Sequence, residues 1–231
     1  VYFQPVTEGD NKGEYRGVAN GMPNPQQDDY KAMSAPNVQE KSTDSPLRWM
    51  MASEVAFLRA EGAMRGWTAE MGGTAEEFYN KGIELSFLEN GLSADAAARY
   101  AADETSKPTD FTDVSAANTK YNISALGKIT IKWNAGASEE EQLERIITQK
   151  WIAMFPNGTE AWSEFRRTGY PLIFPVRSNY PTSGVDTNKQ IRRMVFPQSE
   201  YSNNGAAVQE AVKLLGGPDN GGTKLWWDKK N

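Results

Sequence analysis

Acidic side chains are the residues of this sequence that could do catalytic chemistry, because a glycoside hydrolase works with two carboxylates flanking its substrate. Two groups come into question: the run of glutamates at 139–141 and the pair Asp28 and Asp29. The glutamates open a predicted helix, where negative charge stabilises the positive end of the helix dipole. The aspartates lie in a turn-rich loop, where acidic side chains are usually solvated. The sequence therefore predicts no catalytic residue.

The sequence contains no Cys and no His among its 231 residues. A disulfide framework, a thiolate nucleophile and any Ser-His-Asp or Cys-His catalytic arrangement are therefore excluded within this chain. Zinc sites normally use Cys or His, so we expect neither zinc nor another resident cofactor. Calcium, which oxygen ligands bind, stays open as a metal for this chain.

Lys150 is a charged residue inside an apolar helical stripe that includes Ile146 and Ile147. A charge in that position must extend to solvent or be paired. We predict a structural ion pair with an acid of the following helix, either Glu160 or Glu164. A catalytic lysine of perturbed pKa is the alternative interpretation.

Aromatic side chains in loops are the remaining chemical signal, in a chain that is 11% aromatic. Flat rings bind the C–H faces of sugars by dispersion and burial, and neighbouring polar side chains bind the hydroxyls. Trp133 is followed by Asn134 and precedes Gly136, so we expect its ring to face solvent. The predicted ligand-binding residues are Tyr15, Arg16, Tyr30, Trp133 and Tyr180.

Charge and hydropathy restrict the classes of partner. The net charge is −5 and the isoelectric point is near 5.0, which argues against a nucleic-acid partner, since phosphate contacts need a basic surface. No apolar run approaches the ~18 residues of a membrane-spanning helix. A hydrophobic content of 39% is enough for a sizeable core.

The elements that would position these side chains are mostly helices. The stretch 53–67 repeats apolar residues with helical spacing, and it places Glu54 and Glu61 on the opposite, polar face. The second helix begins at Thr74 with a capping box and ends at Gly91. We expect the two helices to form an antiparallel hairpin joined by "TAEMGG". The glycines at 62 and 66 predict close approach of a neighbouring helix.

Further helices follow from their start and stop signals. Ser93 caps a short helix, and Ser138 opens a strong helix with a second capping box. Thr159 is the predicted cap of a helix that ends at Gly169. The last helix is expected to run from a cap at Asn204 to Gly216. The stretches "VYFQPV" and "KITIKWNAG" are predicted to be short isolated strands.

The fold class predicted from these elements is mainly α, with tetratricopeptide-like helix hairpins overlaid by long irregular loops and little strand. The chain divides into a loop-rich segment at 1–48, a helix hairpin with a short helix at 49–102, an irregular segment at 103–137, and helices with a tail at 138–231. A single hairpin unit cannot bury both of its faces. We therefore expect partners, either in the rest of a longer chain or in another protein.

Three stretches together resemble the C-terminal half of SusD/RagB-type nutrient-binding proteins of Bacteroidetes. They are "SEVAFLRAEGAMRGW…GTAEEFYNKGIELSFLENG", "ERIITQKWIAMFPNGTEAWSEFRRTGYP" and "RRMVFPQSEYSNN…AAVQEAVKLLGGPDNGGTKLWWDKK". The resemblance implies that the chain is the C-terminal portion of a SusD-like domain. It also implies that Arg192 and Arg193 end an extended segment that positions the tail, and that Arg166, Trp226 and Trp227 belong to the scaffold.

The resemblance further implies a function. Such proteins are anchored by an N-terminal lipid to the outer membrane, face outward and bind oligosaccharides or similar nutrient polymers without catalysis. They deliver these ligands to a TonB-dependent SusC-like transporter. The expected partners are thus an oligosaccharide, that transporter and the remaining N-terminal half of the chain, and no nucleic acid. The alternatives are a tetratricopeptide-like scaffold for protein partners and a two-carboxylate glycoside hydrolase.

Overall fold

The computed structural model describes residues 2–22, 30–37, 48–177 and 183–230. Helices supply its regular secondary structure, and long irregular segments connect them. The α-helices are α1 (Ala52–Met64), α2 (Thr68–Met71), α3 (Ala75–Glu89), α4 (Ala94–Ala101), α5 (Glu139–Ala153), α6 (Gly158–Thr168) and α7 (Gln198–Leu214), and a 3₁₀ helix spans Ala116–Tyr121.

The hairpin of α1 and α3 is confirmed, and its two helices approach closely at a glycine. A Cβ atom added to Gly82 of α3 would lie 2.7 Å from the ring of Phe57 on α1. The phenyl ring fills the space that a side chain at position 82 would need. The rings of Phe57 and Tyr79 also meet edge to face, with centroids 6.2 Å apart. The absence of a side chain thus permits the packing of α1 against α3.

The core forms where α5 joins this hairpin. Ile146 and Ile147 of α5 are fully buried. Tyr79 of α3 is also buried, and its hydroxyl donates a hydrogen bond to the Ile131 carbonyl at 2.5 Å. The core residues are Phe57, Ala60, Tyr79, Ile83, Ala97, Trp133, Leu143, Ile146, Ile147 and Ala153. One apolar core therefore joins α1, α3, α4 and α5.

Side-chain caps fix several helix starts as predicted. Both capping boxes are present, at Thr74 with Glu77 and at Ser138 with Glu141, and Ser93 accepts a hydrogen bond from the Ala96 amide. These caps satisfy backbone amides that have no partner within their own helix.

The predicted starts of α6 and α7 are wrong. Asn157, not Thr159, caps α6, since its side chain accepts a hydrogen bond from the Glu160 amide. Helix α7 begins at Gln198, and Asn204 is a kink inside it, with φ −143° and ψ 36°. Helical residues flank this kink on both sides. Asn204 therefore marks a bend within α7 and not the start of the helix.

The two stretches expected to be strands form none in the described residues. Phe3 makes only an isolated bridge with Pro36, and residues 128–136 run as irregular chain with bends. The Lys132 amide bonds the Asp103 carbonyl at 2.9 Å, so this segment is held by a loop and not by a neighbouring strand.

The polar face of α1 is buried against its neighbours. Glu54 and Glu61 are buried, and the guanidinium of Arg167 on α6 binds both oxygens of Glu61 at 2.7 Å. Glu61 also pairs with Arg65, one helical turn further along α1, at 2.8 Å. The charges of α1 therefore face a packed neighbour, and the pairing with α6 offsets their burial.

The two glycines at the end of α1 have different roles. A Cβ at Gly62 would lie 2.8 Å from the sulfur of Met71, so this position accommodates α2. Gly66 has open space around it, and its φ of +89° is a left-handed conformation that favours glycine. Close approach is therefore correct for Gly62 and wrong for Gly66.

The predicted fold class is confirmed. Helix hairpins carry the core, loops cover them, and the described residues contain no sheet. Within those residues, no helix combines the length and the apolar character that crossing a bilayer requires.

Candidate ligand-binding surface

Four irregular segments meet to form a surface that we call the loop layer, made of residues 14–20, 30–34, 111–123 and 172–177. The Arg177 amide donates to the Asn20 carbonyl at 2.8 Å, and the Ser34 amide donates to the Arg16 carbonyl at 2.9 Å. The rings of Phe111 and Phe174 lie 6.2 Å apart. These contacts hold segments that are far apart in sequence in one arrangement.

Tyr15 and Arg16 both lie on this layer, Tyr15 as an exposed ring and Arg16 as a side chain held by hydrogen bonds. Tyr15 is 65% exposed, so its ring is available to a flat ligand. Arg16 is tethered, because its Nε donates to Glu14 at 2.7 Å and its amide donates to the Ser34 hydroxyl at 2.9 Å. An exposed ring beside a fixed guanidinium can bind both the C–H face and the hydroxyls of a sugar.

Tyr30 joins the layer through its hydroxyl. The hydroxyl lies 2.9 Å and 3.1 Å from the two carboxylate oxygens of Asp113, and it accepts a hydrogen bond from the Asn118 amide group at 2.8 Å. Asp113 is itself buried and accepts from the Ser115 amide at 2.9 Å. Tyr30 therefore fastens the 30–34 segment to the 111–123 segment, and its hydroxyl is already engaged.

The prediction that Trp133 faces solvent is wrong. Its ring is 8% exposed, packs 5.1 Å from the ring of Tyr79 and belongs to the helix core. The polar neighbours Asn134 and Gly136 suggested a loop, but the indole is the large apolar group that fills the space beside α3. Stacking on a sugar needs an open ring face, so Trp133 is removed from the candidate surface.

The structure thus brings Tyr15, Arg16 and Tyr30 onto one layer and separates Trp133 from them. Tyr180 lies outside the described residues, as do Asp28 and Asp29. Sequence reasoning missed Asp113, whose hydrogen bond from Tyr30 joins parts of the chain that no local pattern links. Whether Tyr15, Arg16 and Tyr30 bind a ligand stays a prediction.

Lys150 forms the predicted ion pair with both candidate acids. Its Nζ lies 2.9 Å from Glu160 and 2.6 Å from Glu164, and Glu54 is 3.9 Å away. Burial lowers the pKa of Lys150, but the hydrogen bonds and charges of Glu164 and Glu160 outweigh burial and raise it above its usual value. A lysine that is held protonated is neither a base nor a nucleophile, so the structural interpretation stands over the catalytic one.

The arginines near the tail are scaffold residues as expected. Arg192 is buried and binds the two carboxylate oxygens of Asp228 at 2.7 Å and 2.6 Å. The guanidinium of Arg166 lies 4.9 Å from the ring of Trp227, which places that ring in the scaffold. Trp226 differs from this expectation, since it is 83% exposed.

A calcium site needs several oxygen ligands close together. Across residues 2–22, 30–37, 48–177 and 183–230, no three acidic residues cluster in a way that could hold a metal ion. Binding of calcium remains a prediction.

A helical-repeat scaffold that carries a layer of polar and aromatic loops is the class of protein that this fold defines. Residues 1–228 match the SusD-like family, described as SusD and RagB outer membrane lipoproteins. The chain belongs to this family.

Solved structures of SusD homologues share the fold. A chitin-binding homologue from Flavobacterium johnsoniae is 43% identical, with a TM-score of 0.87 over 100% of this chain and 46% of its own. Homologues from Bacteroides thetaiotaomicron and Bacteroides vulgatus are 42% and 37% identical, with TM-scores of 0.85 and 0.88. Each alignment covers 100% of this chain, and 48% and 46% of the respective homologue. The chain therefore spans about half the length of these structures. No curated protein matches it.

Proposed function

We propose that this chain is about half of a cell-surface protein that binds oligosaccharides without cleaving them. Membership of the SusD-like family supports this proposal, and the exposed ring of Tyr15 beside the tethered Arg16 is the observation that carries it. The chitin-binding homologue makes chito-oligosaccharides the first ligands to test. The proposed location is the outward face of the outer membrane, held by a lipid anchor on the N-terminal half.

We further propose that the protein passes its bound oligosaccharide to a TonB-dependent SusC-like transporter. The proposal requires no cofactor and no catalytic residue. It is consistent with the ionic contacts of Glu61, Glu160 and Glu164, whose carboxylates already bind Lys150 or Arg167. Carboxylates that serve as counterions in a scaffold are not arranged as a free acid and nucleophile.

Affinity electrophoresis against a panel of polysaccharides, with reducing ends measured in parallel, tests this function. Retardation without release of reducing ends supports binding without cleavage. Release of reducing ends would instead support a hydrolase, and tight binding to a porin-like partner without retardation on any glycan would support a protein scaffold. Repeating the assay with calcium and with a chelator tests the open metal prediction.

A pair of substitutions at Tyr15 tests the ring itself. Tyr15→Ala removes the exposed face and is expected to weaken glycan binding by about 1 kcal/mol, roughly fivefold. Tyr15→Phe keeps the ring and is the matched control, expected to bind like the wild type. Equal binding by all three proteins would remove Tyr15 from the site. The same three proteins should share one melting temperature, because the side chain is exposed.

A further inference from the structure

A cleft of about 470 Å³ lies between the first turns of α5, the loop that precedes this helix and Leu172 at the edge of the loop layer. Its volume falls within the ~300–1,000 Å³ typical of small-molecule sites. Three aliphatic side chains, Leu126, Ile129 and Leu172, form its apolar wall. The charged groups are contributed by Lys128, Glu141, Glu144 and Arg145.

Glu144 is a buried carboxylate that opens into this cleft. The residue is only 8% exposed, yet among the described residues its oxygens take part in no hydrogen bond or ion pair. Burial raises the pKa of Glu144 above its usual value, which the neighbouring Arg145 opposes without contacting the carboxylate. The Glu144 oxygens are not fully enclosed, so they remain open to a hydrogen bond from a ligand hydroxyl in the cleft.

The backbone leaves room over this carboxylate. A Cβ at Gly127 would lie 3.3 Å from a Glu144 oxygen and 3.3 Å from the ring of Pro108. Any side chain at position 127 would therefore crowd the acceptor. The glycine keeps the space beside the acid open.

The remaining charges indicate what kind of ligand fits. Arg145 donates from Nε to the Lys132 carbonyl at 3.2 Å and from Nη1 to the Glu141 carbonyl at 3.4 Å. Within the described residues, Nη2 has no hydrogen-bond acceptor of its own. Two acids, Glu141 and Glu144, and two bases, Lys128 and Arg145, line the cleft and balance in charge. A balanced cleft favours a neutral ligand that both donates and accepts hydrogen bonds over an ion.

We propose that this cleft is a second sugar subsite, lined by none of Tyr15, Arg16 and Tyr30, that binds one neutral pyranose unit of the captured glycan. This inference rests on the proposed glycan-binding function. A hydroxyl donates to Glu144, a second oxygen accepts from Nη2 of Arg145, and the C–H face packs against Leu126, Ile129 and Leu172. Two separated subsites would let the protein hold a branched or long chain at two points.

Methyl NMR with labelled Ile, Leu and Val locates binding on the whole chain. Chitobiose, cellobiose and maltose are titrated separately into the wild type, Glu144→Gln and Glu139→Gln. Glu139→Gln is the matched control, because it makes the same change on an exposed residue at the start of the same helix. We expect shifts of the Leu126, Ile129 and Leu172 methyls in the wild type and the control. In Glu144→Gln, we expect the disaccharide affinity measured from these shifts to be about tenfold weaker.

Leu172→Ala is the second variant, since it removes part of the apolar wall from a half-exposed position and should weaken the same shifts. Glu144→Gln itself should not lower the melting temperature, because it removes a buried charge that has no partner. Cleft shifts that Glu144→Gln leaves unchanged would overturn the subsite, as would a lower melting temperature with unaltered binding. Shifts confined to Val18, near Tyr15, would overturn the subsite and leave the proposed function intact. No shift with any disaccharide, together with no retardation on any polysaccharide, would overturn both.

Discussion

Individual charged residues in this protein act mainly as the connections between helices. Lys150 from α5 meets Glu160 and Glu164 from α6, and Arg167 binds both Glu164 and the Glu61 carboxylate of α1. Lys150, Glu164 and Glu61 are buried and paired, whereas the side chains of Glu160 and Arg167 are 35% and 41% exposed. The network fixes how three helices meet, and removing the partner of a buried member leaves that charge uncompensated.

Replacing Lys150 by Met tests this network. The substitution keeps the length of the side chain but leaves Glu164 and Glu160 without their ammonium partner. We expect the free energy of unfolding to fall by about 3–5 kcal/mol, measured by urea denaturation at pH 7. Lys213→Met breaks an exposed pair with Glu210 and is expected to change it by less than about 1 kcal/mol. Similar small losses in both variants would contradict a stabilising role for the network.

Glu61 gives the network a predictable dependence on pH. Burial raises its pKa, but the hydrogen bonds and charges of Arg167 and Arg65 outweigh burial and hold the pKa below its usual range. A folded-state pKa that is lowered contributes stability above the ordinary glutamate value of about 4.3, and this contribution is lost as the pH falls through the folded value.

Glu61→Gln should therefore lower the free energy of unfolding at pH 7 by about 2 kcal/mol. The difference from the wild type should shrink between about pH 5 and about pH 3, the range around the ordinary glutamate pKa. Denaturation curves at several pH values measure this difference. Glu70→Gln, which makes the same change at an exposed position on α2, is the matched control. A difference that stays constant down to pH 3, roughly one unit below the ordinary value, would contradict the lowered pKa.

At the scale of elements, helix starts are fixed locally, whereas helix contacts are fixed by partners. The capping boxes at Thr74 and Ser138 involve residues three positions apart. The start of α1 is different, because Glu89 at the end of α3 accepts hydrogen bonds from the Ser53 amide at 3.0 Å and hydroxyl at 2.6 Å. One helix of the hairpin thus caps the other, which links the formation of the two.

The contact between α1 and α3 is tested by Gly82→Ala. Its new methyl would overlap the buried ring of Phe57, so the helices must separate or the ring must move. We expect a loss of about 1–3 kcal/mol in the free energy of unfolding. Gly205→Ala on α7, with open space around it, should be neutral or more stable by up to about 1 kcal/mol. Equal effects of the two substitutions would mean that helix propensity, and not packing, controls position 82.

At the scale of the whole molecule, the tail is tied to the helical scaffold by a buried ion pair. Arg192 joins Asp228, and its Nη2 also donates to the Arg166 carbonyl of α6 at 3.0 Å. The segment before α7, the end of α6 and the C-terminal residues therefore meet at one guanidinium. This arrangement fixes the tail, residues 223–230, against the rest of the chain.

Asp228→Asn tests the attachment of the tail. The amide keeps the shape of the carboxylate but leaves Arg192 buried without a counterion, which should lower the free energy of unfolding by about 3–5 kcal/mol. Limited trypsin digestion should cleave after Lys224 faster than in the wild type. Glu210→Gln, which alters an exposed pair on α7, should leave the digestion pattern unchanged. Resistance of the tail in Asp228→Asn would show that other contacts hold it.

Much of the scaffold could be predicted from the sequence, because its signals are local. The capping boxes and the pairing of Lys150 with Glu160 and Glu164 each depend on residues at most 14 positions apart, on one helix or on successive helices. The start of α6 was mispredicted because Asn157 competes with Thr159 for one cap, and that of α7 because helical residues from Gln198 onward precede the kink at Asn204.

The sequence by itself determined the helical class, the absence of Cys and His chemistry, and the residues from which a ligand surface could be built. Only the tertiary structure decided which of them reach solvent. Trp133 fills the core beside Tyr79, whereas Tyr15 remains exposed, and the polar face of α1 pairs with Arg167. Whether a side chain is buried depends on contacts with residues that are distant in sequence. A local sequence pattern does not contain those contacts and cannot predict the burial.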